Sequence, residues 1–95
     1  MLTSLTGVTE HIGGDFHIDH NELTSLKGAP KTVGGDFYCG YNKLTSLAGA
    51  PKYVGGIFVC NDNPGNFTEE QVRAVCDVKG EVLALPKKLP RLKKV

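Results

Sequence analysis

The side chains best suited to chemistry gather in one stretch, His17-Ile18-Asp19-His20, with Asp15 two residues before it. Imidazole and carboxylate are the donor types of a zinc-like site. On an extended segment alternate residues share a face, so His17 and Asp19 would stand about 7 Å apart on one side. A metal held there needs a third ligand, and His20 supplies it only by bending in from the following turn. The sequence holds no Ser-His-Asp arrangement, phosphate loop, CxxC pair or HExxH segment. The expectation is a polar strand with no catalytic residue, no metal and no cofactor. The three cysteines are an odd number. Cys39 and Cys60 would point the same way from adjacent layers, and parallel Cβ vectors disfavour the dihedral a disulfide needs. They read as small buried hydrophobes of a reducing compartment.

The elements that must position these groups are repeats. Leu-Thr-Ser-Leu starts at Leu2, Leu23 and Leu44, each 21 residues after the last. Gly13-Gly14, Gly34-Gly35 and Gly55-Gly56 keep the same phase, as do Phe16, Phe37 and Phe58, and Asn21, Asn42 and Asn63. Residues 23–43 and 44–64 agree at 14 of 21 positions, so the whole unit repeats and not only its landmarks. A fixed period of about 20–29 residues with apolar and Asn positions in constant phase marks a leucine-rich-repeat solenoid. The expected fold is therefore a leucine-rich-repeat solenoid, with a narrow parallel β-sheet, irregular return arms and a C-terminal capping helix.

Residues 36–39 alternate out and in with the period of a half-buried strand. Phe37 and Cys39 should point inward, and Asp36 and Tyr38 outward. Equivalent strands fall at 15–18 and 57–60. Asn21, Asn42 and Asn63 should form a ladder whose amides satisfy backbone groups where the strand turns. The return arm is too rich in Gly and Pro for a regular helix. Leu44, Leu47, Pro51 and Val54 should face the core from irregular or short 3₁₀-like turns. The paired glycines serve either positive φ or close approach of neighbouring rungs.

The C-terminal third breaks the period. Thr68 with Gln71 three residues on reads as a capping box, and Glu69 and Glu70 suit a first helical turn. Val72, Val75 and Cys76 should form its apolar stripe. In Gly80-Glu81-Val82-Leu83-Ala84-Leu85 the apolar frame returns, with Leu83 expected in the place of Phe58, 25 residues earlier. Repeats 2–22, 23–43 and 44–64 are then closed by an atypical capping rung at 65–85, as solenoid ends require. No cap is visible at the N-terminal end. The 15–18 strand should be an open edge, blunted by the outward Asp15, His17 and Asp19.

Ninety-five residues make one domain with a modest core. No apolar run approaches the ~20 residues of a spanning helix, and the first residues lack the pattern of a secretion signal. The expectation is a cytoplasmic protein that does not enter a membrane. The net charge of +1 conceals a balance of −4 over residues 1–84 and +5 over 85–95. The segment 86–95 is a basic tail; contact with nucleic acid or an acidic partner is less expected than a solvated terminus.

The unit at 23–43, Leu-Thr-Ser-Leu-x-Gly-Ala-Pro-Lys-x-Val-Gly-Gly-Asp-Phe-Tyr-Cys-x-x-Asn-Lys, resembles the short leucine-rich repeats of small proteins from tailed bacteriophages. The run from Asn63 through Glu70 resembles the way those arrays end. The resemblance covers roughly residues 2–85. It implies a phage-encoded protein of the bacterial host cytoplasm. Such accessory proteins often bind and disable a host enzyme or defence component.

The candidate contact surface is the outer face of the sheet. One column should run Asp15, Asp36, Ile57, Val82, and the next His17, Tyr38, Val59, Ala84, with Tyr41 beside them. Tyr38, Tyr41, Ile57 and Val59 diverge between repeats while their neighbours stay in phase. Exposed apolar patches with polar rims and tyrosines suit a protein partner. The expected partner surface is Asp15, His17, Asp36, Tyr38, Tyr41, Ile57, Val59 and Val82. Two alternatives stay open. One is a small-molecule or nucleotide sequestering site built from His17, Asp19, Tyr38 and Tyr41. The other is a structural protein that self-assembles, as a homo-oligomer, through its N-terminal edge.

Overall fold

The computed structural model describes residues 3, 5 and 9–84. The basic tail at 86–95 and Leu85 lie outside the described residues. The chain is a parallel β-solenoid in which each coil contributes two very short strands. The strands are β1 (His11–Ile12), β2 (Phe16–His17), β3 (Thr32–Val33), β4 (Phe37–Tyr38), β5 (Tyr53–Val54), β6 (Phe58–Val59), β7 (Asp77–Val78) and β8 (Val82–Leu83). One helix, α1 (Glu69–Val75), lies between β6 and β7.

The strands form two four-stranded parallel sheets, β1-β3-β5-β7 and β2-β4-β6-β8, where the sequence predicts one. The second sheet comes from the end of the return arm. Thr32 pairs with Tyr53, and Val33 with Val54, across adjacent coils. Two residues per coil are too few to show an alternating pattern, so this sheet exists only because the coils stack. At the corner between the sheets the glycine pair is required for close approach, not for positive φ. A Cβ on Gly34 would collide with the Gly13 carbonyl oxygen, and one on Gly55 with that of Gly34. Positive φ is instead used at Gly28 (90°) and Gly49 (89°), in the turns of the arm.

The core is a set of columns. Phe37 and Phe58 are fully buried and their rings meet at 5.0 Å, while Phe16 stacks on Phe37 at 6.0 Å. Val33, Val54 and Val78 line the other sheet from within, and Leu23, Leu26 and Leu44 fill the arm side. Leu47 is only half-buried against this core.

The asparagine ladder is present. The Asn42 side-chain amide donates to the carbonyls of Ile18, Cys39 and Gly40 at 2.9–3.1 Å. Its oxygen accepts the Leu23 N–H at 3.1 Å. Asn63 does the same one coil later: its oxygen accepts from Asn42 N–H and Leu44 N–H, and its amide donates to Cys39 and Cys60. Both residues are buried, where unpaired backbone groups would be costly.

The end of the array is closed by α1. Thr68 accepts the Gln71 N–H while the Gln71 side chain accepts the Thr68 N–H, a complete capping box. Val72 and Cys76 are buried, but Val75 is 46% exposed and does not belong to the stripe expected from the sequence. Val75 instead borders the open groove beside Leu47 and Phe67. Phe67, also buried, lies over Gly65, which has no side chain to obstruct it. A further closure comes from Arg73. In the earlier coils the carbonyls of Val33 and Val54 accept N–H groups from Gly55 and Lys79, and those of Gly35 and Gly56 accept from Gly56 and Gly80. For the last coil the Arg73 guanidinium takes over both roles, donating to Val78 C=O at 2.7 Å and Gly80 C=O at 2.8 Å.

Candidate functional site

The outer face of the β2-β4-β6-β8 sheet carries most of the residues singled out by sequence. Its first column is Asp15, Asp36 and Ile57. The Asp15 carboxylate accepts the Asp36 N–H at 2.8 Å, and the Asp36 carboxylate accepts the Ile57 N–H at 2.9 Å. These aspartates therefore tie one coil to the next at the strand entrance. Asp36 also accepts the Tyr38 hydroxyl at 3.0 Å. That hydrogen bond, with smaller contributions from desolvation and the charges of Asp36, Asp15 and Asp19, raises the Tyr38 pKa. The same hydrogen bond restrains the Tyr38 side chain.

The second column stacks rings. His17 lies on Tyr38 with centroids 4.3 Å apart and planes 14° from parallel. Beside it His20 lies on Tyr41 at 4.6 Å and 10°. Tyr41 is not on the strand. It sits in the following turn at φ 55°, as His20 does at 61° and Asp62 at 60°. The coil demands a left-handed residue there, and Tyr41 is half exposed as a result.

Beyond Tyr38 the column continues to Val59 and Leu83, not Ala84. The register pairs Phe58 with Val82 and Val59 with Leu83. Val82, expected on the outer face, is therefore in the core at 6% exposure, and Ala84 is buried as well. The inserted helix lengthens this coil by three residues, not four, since Phe58 and Val82 lie 24 apart. The run Val82-Leu83-Ala84-Leu85 is apolar in both phases, so alternation could not choose between them. Glu81 takes the place next after Ile57 on the outside, which makes that end of the face less apolar than expected.

Asp19 stands between two imidazoles, 3.0 Å from His20 Nδ1 and 3.9 Å from His17 Nδ1. Among the described residues no group of three or more His, Cys, Asp or Glu is arranged to hold a metal ion. The cysteines are free and buried. Burial pushes the Cys39 thiol well above its usual range, with Cys60 and Asp19 adding to the shift, and lifts Cys60 to about 12. Thiols held protonated in this way are poor nucleophiles and poor metal ligands.

Two grooves lie away from this face. One of about 600 Å³ is lined by Glu10, Lys27, Lys31 and Lys52 on the return arms. Another, of about 400 Å³, lies between the third arm and α1, beside Leu47, Phe67 and Val75. These lysines are not among the residues singled out by sequence; the signal available was the equivalence of Lys31 and Lys52 in the repeat. No helix among the described residues is long and apolar enough to cross a membrane. Comparison with protein-family models, curated proteins and solved structures gave no match.

Proposed function

We propose that this chain is a non-enzymatic protein-binding module, a phage-encoded modulator of a host protein in the bacterial cytoplasm. The observation that carries the reading is the pre-ordered ridge His17–Tyr38–Val59–Leu83. Tyr38 is fixed by the stack on His17 and by its hydrogen bond to Asp36. A tyrosine already held in place loses little side-chain freedom on binding, which is how such anchors yield affinity. The face is an open row of side chains, and the two grooves described above are lined by other residues. An open face suits a protein surface better than a small molecule, which favours enclosed sites. The phage origin rests on the likeness of the repeat unit and its termination, and host modulation on the habits of such proteins.

Affinity purification of the tagged protein from infected cells, followed by titration of the captured partner, tests the reading. Truncating a central aromatic anchor typically costs about 2 kcal/mol or more, roughly thirtyfold in affinity. Tyr38→Ala and Tyr41→Ala should each weaken binding at least tenfold with little change in melting temperature. Lys27→Ala and Lys52→Ala, on the arm, should leave the partner's affinity unchanged. Silent tyrosines with decisive lysines would overturn the assignment.

A further inference from the structure

The groove on the return arms presents an unbalanced set of charges. Lys27, Lys31 and Lys52 line it together with a single carboxylate, Glu10, over a floor that includes Ala29 and Ala50. Lys31 and Lys52 occupy the same place on adjacent coils, with the Lys52 N–H donating to the Lys31 carbonyl at 2.8 Å. Their backbones are thus about one rung, roughly 4.8 Å, apart. Like charges set directly opposite one another on neighbouring strands repel. Glu10 offsets only one of the three charges, and no ion pair among the described residues involves these lysines. The ion pairs among the described residues lie at Asp19 with His17 and His20, at Arg73 with Glu69, and at Lys79 with Asp77. Glu10 meets the next coil through its backbone, its carbonyl accepting the Lys31 N–H at 2.7 Å. Three lysines therefore line a space of about 600 Å³, a volume typical of small-ligand sites.

The geometry points to a second binding site here, for a small polyanion of the polyphosphate class. The two stacked lysines would straddle adjacent anionic centres, while Lys27 approaches from the turn that Gly28 closes at φ 90°. Lysine binds phosphate as a mobile point charge, which fits a groove open to solvent. A single phosphate or carboxylate would meet one or two of the three cations. A chain of phosphates meets all three.

The experiment is calorimetric titration of the full chain with sodium tripolyphosphate at low ionic strength, with amide chemical shifts recorded in parallel. Saturable binding is expected, weakened at least tenfold in Lys31→Gln/Lys52→Gln and several-fold by physiological salt. Glu10→Gln should tighten binding, because it removes the one carboxylate among the described residues that line the groove; a merely nonspecific attraction to net charge would not single out this position over Glu22→Gln. Amide shifts should centre on Gly28, Lys31, Gly49 and Lys52. Orthophosphate should bind at least tenfold more weakly. Tyr38→Ala should leave the titration unchanged, so failure of this site and failure of the protein-binding reading are separately visible. Two results overturn the proposal: no saturable binding at millimolar tripolyphosphate, or binding lost on neutralising the five basic residues of segment 85–95 while Lys31→Gln/Lys52→Gln has no effect. Circular dichroism of each variant verifies that the fold is retained.

Discussion

Asn42 shows how one side chain can support a coil. Its amide reaches three carbonyls, that of Ile18 in the preceding repeat among them, and its oxygen accepts the Leu23 N–H. A leucine of similar size would fill the space but leave these buried groups without partners, at about 1–3 kcal/mol for each group stranded. Asn42→Leu should therefore lower stability in urea by at least that amount, whereas Asn21→Leu, in a half-buried first coil, should cost less. A loss of only a few tenths of a kcal/mol for Asn42→Leu would show that the ladder does not hold the coils. Asp15 and Asp36 perform a related task at the other end of the strand, each accepting an N–H from the next coil. The third coil has Ile57 there, so this second ladder stops while the asparagine ladder continues to Asn63.

At the scale of elements, α1 has two jobs that the earlier arms do not have. It covers the end of the core with Val72, and it carries Arg73 to the corner where the last coil would otherwise offer carbonyls to a missing neighbour. A guanidinium suits this task because its planar fork donates two hydrogen bonds in fixed directions. Hydrogen bonds from charged donors are worth about 1.5–3 kcal/mol, discounted here because the Gly80 bond is exposed. Arg73→Met should cost about 1–2 kcal/mol in urea unfolding. Arg73→Lys should recover only part of that, since an ammonium cannot span both carbonyls. Glu69→Gln, which breaks only the 2.9 Å exposed pair to Arg73, should cost no more than about 0.5 kcal/mol. If Glu69→Gln and Arg73→Met prove equally mild, the fork contributes nothing and the helix closes the array by packing alone.

The whole molecule behaves as a stack in which each coil contacts its neighbours, so stability is shared along the axis. The cysteines report on three levels of it: Cys39 in the second coil, Cys60 in the third and Cys76 where α1 ends. Burial raises the Cys76 thiol to about 11, with the charge of Asp77 adding to the shift and that of Arg73 opposing it. With Cys60 at about 12 and Cys39 well above its usual range, few thiolates are available at pH 8 in the folded protein. A thiol reagent should therefore label none of the three before unfolding, and all of them over the same range of urea. Labelling of Cys76 in the absence of denaturant would show that the cap opens independently of the coils it covers.

Much of this was legible in the chain itself. The 21-residue phase, the inward Phe and Cys positions, the asparagine ladder and the Thr68–Gln71 cap all follow from periodicities or short spacings that one stretch of sequence contains. Other features depend on what lies alongside. The second sheet has two residues per coil and is created by stacking, so no pattern along the chain announces it. Val82 points inward and Leu83 outward because backbone pairing with β6 sets the register; the surrounding apolar residues allow either. Arg73 finds its partners only where the array happens to stop. His17 and Tyr38, like Lys31 and Lys52, are 21 residues apart in sequence, and the coil spacing alone stacks the first pair and brings the second to one groove. Local signals specify which way a side chain faces within its own coil. What it meets there is decided by the neighbouring coil, through hydrogen bonds and packing that exist only in the folded stack.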